Sequence, residues 1–248
     1  MSGQPTRAGL PPEATGNTLV ARIPGQWRAF FAFLRHPALP DRADLSLRAS
    51  ARALPPLFAL DMALMALVLG SIGLATSLGM KMPEHMLEEL KLTPLLVGFI
   101  VVGAPIAEET LFRGWLSGRP GHVLAVLALL AGGLALALVP SPALKLAGFT
   151  AGIALAVLAL FVLRHRDAWG WFQRRFRWFY YGGAALFAAV HLTNFGGGSA
   201  AMLPLVLPQF MLALILGYLR VNRGLATGAA LHILHNAAFV GLMLAAAS

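Results

Sequence analysis

Long stretches without Asp, Glu, Lys or Arg are the feature that most constrains how this chain folds. The longest, Trp178 to Leu219, is about twice the roughly 20 residues that a membrane-spanning helix needs. Gly196 to Gly198 interrupt this stretch and predict a tight turn between two helices. Only 12% of the residues are charged, about half the share found in a typical soluble domain. The sequence therefore predicts an all-α, polytopic transmembrane bundle.

The other charge-free stretches give the predicted organisation of the chain. By the same length criterion we expect about seven spans. They lie near residues 54–79, 92–117, 121–139, 142–163, 176–199, 201–219 and 225–247. Residues 1–53 are expected to form a cytoplasmic N-terminal segment, and residues 54–248 one membrane-embedded domain. These spans leave no room for a sizeable soluble domain.

The N-terminal segment contains a stretch, Trp27 to Leu34, that mixes aromatic and basic residues and is followed by Arg35 and His36. This composition is typical of a helix that lies on the inner leaflet of a membrane. A disordered tail with some aromatic residues is the alternative interpretation. The sequence alone favours neither of the two.

The basic residues indicate the orientation of the spans. With the N-terminus inside, all sixteen arginines fall on the cytoplasmic side, and only Lys81, Lys91 and Lys145 fall outside. This distribution follows the positive-inside rule and explains most of the net charge of +9. The arginines are spread over short loops, so we expect the lipid bilayer and no nucleic acid as a partner. High Ala, Leu and Arg content with minimal loops indicates a bacterial inner membrane protein.

The residue types that are absent exclude several kinds of chemistry. The chain has no cysteine, which excludes disulfides, iron–sulfur clusters, cysteine zinc sites and cysteine nucleophiles. It also has no phosphate-binding loop, no HExxH helix and no Gly-x-Ser-x-Gly elbow. Any chemistry must therefore use His, Asn, carboxylates or hydroxyls.

Two adjacent glutamates lie within the second predicted span. A charged residue at the centre of a membrane helix costs roughly 2.5–3.5 kcal/mol on insertion scales, so Glu108 and Glu109 suggest a function. Arg113 follows Glu109 by one helical turn and can neutralise it, which leaves Glu108 on the neighbouring face. A structural salt bridge would explain only one of the two glutamates. Pro105 cannot donate a hydrogen bond to the Val101 carbonyl, so we expect a kink or a polar group that faces a cavity.

Imidazole and amide groups occur in two later spans at a similar depth. His191 lies near the end of an uncharged helix, while His232 and Asn236 are spaced i, i+4 and share one helix face. At about 1.5 Å per residue, these three side chains and Glu108 all lie within roughly 6 Å of the bilayer midplane. The sequence therefore predicts that they form one polar site.

Three further polar residues of the spans receive no role from the sequence. His235 is rotated away from the face that carries His232 and Asn236. Asp61 in the first span and His122 near the start of the third have no partner at matching depth. We interpret these two as packing or interfacial residues.

The polar residues form three ordered motifs that resemble a known family. They are Glu108-Glu109-x-x-x-Arg113, Phe187-x-x-x-His191 and His232-x-x-x-Asn236. In this order on three helices they are similar to the motifs of the CPBP intramembrane proteases, the CAAX-protease and bacteriocin-processing (Abi-like) family. The chain departs from a compact member by an apolar hairpin of two spans between the first two motifs and by the additional His235.

The resemblance implies a role for each matched residue. Glu108 would be the general base that polarises a water molecule, and His191 would help to activate that water or carry its proton. His232 and Asn236 would stabilise the oxyanion of the tetrahedral intermediate. Two residues would hold the first helix in place: Glu109 and Arg113. Amide hydrolysis without a Ser or Cys nucleophile needs an activated water, a proton acceptor and donors to the developing oxyanion, which agrees with the residue types present.

Zinc is the cofactor that must be weighed against a metal-free site. Two histidines and one carboxylate are a common hydrolytic zinc set, and Glu108, His191 and His232 would supply it. Against zinc, Asn236 is a poor ligand but a good donor to an oxyanion. We therefore expect no metal.

The residues also permit functions other than proteolysis. Intramembrane Glu and His are used by proton relays, so a proton-coupled transporter is one alternative. A membrane scaffold or immunity protein with the same fold and little turnover is another. If the chain is a protease, its substrate is a peptide or a membrane protein that the sequence does not identify.

Overall fold

The computed structural model describes residues 19–79, 92–195 and 200–246. Ten α-helices form the framework of these residues. They are α1 (Leu19–Arg35), α2 (Leu47–Ser77), α3 (Pro94–Gly98), α4 (Ala104–Arg113), α5 (Pro120–Leu138), α6 (Pro142–Val162), α7 (Gly170–Arg174), α8 (Phe176–Val190), α9 (Leu207–Arg223) and α10 (Leu225–Ala246). A π-helical segment, Phe99–Gly103, joins α3 to α4. Three 3-10 segments complete the helical structure: Gly114–Ser117, His191–Asn194 and Ala200–Val206.

Local sequence signals explain where several of these helices begin. The Ser46 hydroxyl caps α2 by accepting a hydrogen bond from the Ala49 backbone, and Ser141 caps α6 in the same way. Proline lies in the first turn of α3, α5 and α6, where its missing N–H costs no helical hydrogen bond. Gly224 alone joins α9 to α10 and adopts a φ of 92°, which favours glycine.

The predicted all-α membrane bundle is confirmed. Six helices of the described residues are long and apolar enough to cross a membrane. They are Leu47–Ser77, Pro94–Ser117, Pro120–Leu138, Pro142–Val162, Met202–Arg223 and Leu225–Ala245.

The span predicted at 176–199 is shorter in the structure. Its helix, α8, has 15 residues and ends at Val190, because the chain tightens into a 3-10 turn at His191. At 1.5 Å per residue α8 is about 22 Å long, less than the roughly 30 Å of a bilayer core. The predicted glycine turn at 196–198 lies outside the described residues.

The arginine-rich loops meet at one end of the bundle. The Arg119 side chain donates to the Arg166 carbonyl at 3.1 Å, which joins the loop before α5 to the loop after α6. The Asp44 backbone N–H donates to the Asn222 carbonyl at 2.9 Å, which brings the start of α2 to the end of α9. This shared end agrees with the predicted sidedness of the arginines.

Helix α9 lies at the centre of the bundle, and every residue from Leu212 to Val221 is buried. It packs against α2, α8 and α10. Helix α1 adds to this core through Phe30 and Phe33, whose rings contact the Tyr218 ring. The structure thus favours the helical interpretation of Trp27 to Leu34, because this stretch lies within α1.

Helices α5 and α6 form the apolar hairpin that the sequence predicts between the first two motifs, and they pack mainly on each other. Glycines allow the close approach: a Cβ atom at Gly152 would lie 2.7 Å from the Ala128 carbonyl oxygen and 2.9 Å from the Gly132 Cα. Among the described residues, the first turns of α5 make the hairpin's closest contacts with the remaining bundle, where Val126 packs against Gly114. The outer faces of both helices are exposed and apolar.

Candidate active site

A cavity of about 280 Å³ opens among α2, α4, α8, α9 and α10. Its polar lining consists of Glu108, His191, Asn194, Gln209, His232, His235 and Asn236. The structure therefore brings together all four residues that the sequence predicts as catalytic. It also adds three that the sequence did not single out as a site: His235, Asn194 and Gln209.

Glu108 is the most accessible carboxylate of the cavity. Its side chain is 29% exposed, whereas the side chain of the adjacent Glu109 is 1% exposed. One turn of α4 thus directs the first carboxylate into the cavity and the second into the protein. The Glu108 Oε2 atom lies 3.7 Å from Nε2 of His232.

Glu109 and Arg113 form a buried ion pair behind the cavity. The Arg113 guanidinium donates to Glu109 Oε1 at 2.9 Å, as the i, i+4 spacing predicts. The guanidinium carbon also lies 3.8 Å from the centre of the Phe187 ring, a cation–π contact that joins α4 to α8. Glycine at position 228 makes room for the pair, because a Cβ atom there would lie 3.2 Å from Glu109 Oε2.

His232 is held by Glu109 and directed at Glu108. Its Nδ1–H donates to Glu109 Oε1 at 3.1 Å, and the side chain is only 3% exposed. Glu109 therefore does more than pair with Arg113, because it also fixes the tautomer and the ring orientation of His232. Nε2 of His232 is the ring nitrogen that remains for the cavity.

His191 owes its orientation to the end of α8. At this residue the backbone N–H donates to the Ala188 and Ala189 carbonyls, the pattern of a tighter turn. The Phe187 carbonyl is then free to accept a hydrogen bond from His191 Nδ1–H, at 2.8 Å. Nε2, on the other side of the ring, keeps its lone pair and can accept a proton or a hydrogen bond in the cavity.

Asn236 is anchored by the π-helical segment before α4. In this segment the Ala104 N–H donates to the Phe99 carbonyl, five residues earlier. The next acceptor in that pattern is the Ile100 carbonyl, but its donor would be Pro105, which has no N–H. Asn236 Nδ2 donates to the Ile100 carbonyl instead, at 2.8 Å. Pro105 thus leaves one carbonyl without a backbone donor, as the sequence predicts. In the π register this carbonyl belongs to Ile100 and not to Val101.

The interpretation of Asp61 as a residue without a polar partner was wrong. Its carboxylate accepts a hydrogen bond from Nδ1–H of His235 at 2.7 Å, and both side chains are buried. His235, to which the sequence assigned no role, therefore lies in the cavity wall with a carboxylate behind it. The sequence could not reveal the pair, because its members lie on helices 174 positions apart.

His122 also has partners that the sequence did not predict. Its Nδ1 atom accepts from the Ser117 hydroxyl at 2.7 Å and lies 3.4 Å from the Arg220 guanidinium. Arg220 donates in turn to the Arg113 and Gly114 carbonyls, both at 2.9 Å. This cluster ties the end of α9 to the end of α4 and satisfies the last carbonyls of that helix. It positions α4 and does not line the cavity.

The described residues contain no group of three His, Asp or Glu side chains arranged to bind a metal ion. Glu108, His191 and His232, the set that would hold zinc if the protein used it, are therefore not arranged in this way. In this arrangement Nδ1 of each of the two rings is already bonded to protein, to a backbone carbonyl and to Glu109. The absence of a metal from the mechanism stays a prediction.

Comparison with known protein families gives a match. The family model described as Type II CAAX prenyl endopeptidase Rce1-like matches residues 90–238, more than half of the chain. The matched region contains all three motifs, and it excludes α1, α2 and therefore Asp61. No curated protein and no solved structure matches the chain at a significant level.

Proposed function

Because the chain belongs to the Rce1-like family of type II CAAX prenyl endopeptidases, we propose that it is an intramembrane endopeptidase in which Glu108 activates a water molecule. Membership makes the protein an integral membrane peptide hydrolase. The observation that carries the finer proposal is that Glu108, His191, His232 and Asn236 line one cavity.

The first step needs a base that can reach both water and substrate. Glu108 meets this need because its carboxylate is partly exposed in the cavity, while Glu109 is bonded to Arg113. Arg113 offsets one of the two negative charges, so Glu108 remains available to take a proton from water. The free Nε2 of His191 provides a second acceptor that can orient this water or carry its proton.

The second step needs donors for the oxyanion of the tetrahedral intermediate. His232, when protonated, presents Nε2–H to the cavity while Glu109 holds its other nitrogen. Asn236 uses one amide N–H to bind the Ile100 carbonyl and retains a second for the oxyanion. Both donors are fixed by buried partners, so they need little reorganisation during the reaction.

Cleavage of a defined peptide tests the proposal. Protein purified in detergent would be incubated with an internally quenched peptide that ends in a farnesylated CAAX sequence, with its unprenylated form and with a peptide library. Glu108→Gln, which keeps the shape and removes the base, should lower cleavage by about 10²–10⁴-fold. Asp167→Asn is the matched control, because that carboxylate is 98% exposed at the arginine-rich end. Normal cleavage by folded Glu108→Gln would overturn the mechanism.

We propose that the protein resides in a bacterial inner membrane with its N-terminus in the cytoplasm. Helix α8 begins at the arginine-rich end and α9 ends there. The shortness of α8 therefore does not change the side of the membrane on which α10 begins. The positive-inside rule then assigns the arginine-rich end to the cytoplasm and Ser248 to the outside. A reporter that works only in the cytoplasm would be fused at Ser248. Activity of this fusion would contradict the orientation.

A further inference from the structure

Asp61 and His235, which share a hydrogen bond, are not among the residues that define the three motifs, and the proposed mechanism gives them no role. Asp61 is 3% exposed and His235 is 8% exposed, and a distance of 2.7 Å joins Oδ2 to Nδ1. His235 lines the same cavity as Glu108. A carboxylate in an apolar membrane helix is costly, so its presence in α2 needs an explanation.

Three imidazoles line the cavity, and their Nδ1 partners differ. His191 donates to a neutral backbone carbonyl, while His232 donates to Glu109, which Arg113 already neutralises. His235 donates to Asp61, and no Lys or Arg of the described residues forms a salt bridge with that carboxylate. Among the Nδ1 partners of these three rings, Asp61 is thus the carboxylate without a paired cation in the described residues, and such a carboxylate stabilises an imidazolium.

The hydrogen bond also fixes which nitrogen can react. Because Nδ1–H of His235 is held by Asp61, Nε2 is the atom available to exchange a proton in the cavity. A buried carboxylate that orients an imidazole and stabilises its charged form is the arrangement used by triad histidines.

We propose that His235 is the general acid of the reaction, which protonates the leaving amine, and that Asp61 is its positioning residue. This proposal rests on the proposed function, because it assigns the proton that peptide hydrolysis must deliver after Glu108 has activated the water. Mechanistically it separates the base on α4 from the acid on α10.

The proton balance of the step is complete. The water oxygen bonds to the carbonyl carbon while Glu108 takes one water proton. The C–N bond of the tetrahedral intermediate then breaks, its electron pair goes to nitrogen, and Nε2–H of His235 gives that nitrogen a proton. The products are a carboxylic acid and an amine. The proton on Glu108 returns through water to His235, which restores both groups.

The positions of the side chains suit this division. His232 is near both groups, since its Nε2 is 3.7 Å from Glu108 Oε2 and its ring centre is 6.4 Å from that of His235. The oxyanion donor is therefore close to both the base and the acid in one cavity. Asp61 lies outside residues 90–238, so the family match does not assign this pair.

A comparison of amide and ester substrates tests the role of His235. An alcohol leaves without the protonation that an amine requires, so loss of a general acid affects ester cleavage much less. The substrates would be the farnesylated CAAX peptide and a depsipeptide with an ester at the scissile bond. His235→Gln should lower kcat for the amide by about 10²–10⁴-fold and for the ester by less than about tenfold. His165→Gln, a change at an exposed imidazole, is the control.

Asp61→Asn tests the positioning role. It should lower kcat for the amide by about 10–100-fold with KM unchanged, and it should have no further effect when His235 is already Gln. Asp167→Asn serves again as the control. The folded fraction would be measured for each variant by size-exclusion chromatography. The double variant, with Asp61→Asn and His235→Gln together, leaves no unpaired buried charge and keeps the test valid if one single variant folds poorly.

The outcomes separate the competing explanations. Equal losses for amide and ester, or no loss for either, would overturn the proposal and make the pair a structural link between α2 and α10. Glu108→Gln should lower cleavage of both substrates. If it leaves both unchanged, the role of Glu108 in the proposed function fails, and this result is distinguishable from a failure of His235 alone.

Discussion

Two regions of this membrane protein differ in how many charged residues they contain. One is the cavity region, formed by α2, α4, α8, α9 and α10, and the other is the hairpin of α5 and α6. Residues 120–162 of the hairpin contain a single charged residue, Lys145. Among the described residues, the cavity region instead buries six Asp, Glu, Arg or His side chains: Asp61, Glu109, Arg113, Arg220, His232 and His235.

The difference shows what holds each region together. In the hairpin, glycines bring two backbones into contact, so association depends on van der Waals packing. In the cavity region, helices are joined by hydrogen bonds to buried carboxylates, such as those of His232 to Glu109 and of His235 to Asp61. Such groups are costly in a bilayer, so their concentration around one cavity supports the proposal that this part of the molecule carries the function.

Removal of the buried cation gives the largest effect on folding that this comparison predicts. Arg113→Ala leaves Glu109 buried without a counter-charge and should reduce stability by about 3–5 kcal/mol. Activity per folded molecule should fall less than the amount of folded protein. Glu108→Gln should do the reverse, because its side chain is partly exposed and keeps its shape. Folded yield and cleavage would be measured on the same preparations.

Arg174→Ala is the control, since that side chain is exposed at the same end of the bundle. If Arg113→Ala folds as well as this control, the buried ion pair does not stabilise the cavity region. The contrast between the two regions would then lose its main energetic support.

The π-helical segment gives the next largest effect. Pro105→Ala restores an N–H that can bond to the helix, and this should release the Ile100 carbonyl from Asn236. Stability should stay the same or rise, while kcat falls by about 10²-fold, because a shift of about 1 Å in the site is enough for such a loss. Pro142→Ala is the matched control at the start of α6. Unchanged cleavage by Pro105→Ala would show that the π register does not serve the site.

The hairpin should respond in stability alone. Gly152→Ala places a methyl group against the backbone of α5 and should destabilise the protein by about 1–2 kcal/mol through overpacking. Gly133→Ala adds the same methyl group where nothing lies within 4 Å and should be neutral or stabilising. Thermal unfolding in detergent measures both. A loss of cleavage per folded Gly152→Ala molecule would mean that the hairpin is coupled to the cavity.

The sequence predicted the residues of the cavity better than its connections. Charge-free stretches gave helices, and the i, i+4 spacing of His232 and Asn236 placed both on the face that lines the cavity. Depth along the spans then predicted that Glu108 and His191 would join them. These signals are local to each helix, so they need no knowledge of which helices are neighbours.

The parts that the sequence did not predict depend on packing between helices. The partner of Asp61 is set by how α2 lies against α10, which no local pattern records. The uncharged run continues past Val190, so composition does not reveal the change to a 3-10 turn that orients His191. Pro105 signalled a lost hydrogen bond, but only the π register identifies Ile100 as the carbonyl that Asn236 binds.

Removal of metal should have the smallest effect, namely none. In the cavity region Arg113 balances the charge of Glu109, and Nδ1 of His232 already binds Glu109. Zinc would have to draw Glu108, His191 and His232 into an arrangement that the described residues do not show. Purified active protein should contain well under one zinc per chain by elemental analysis, and strong chelation followed by desalting should leave cleavage unchanged. Stoichiometric zinc with activity that is lost on chelation and restored by Zn²⁺ would make these three residues ligands and would replace internal charge balance with metal coordination.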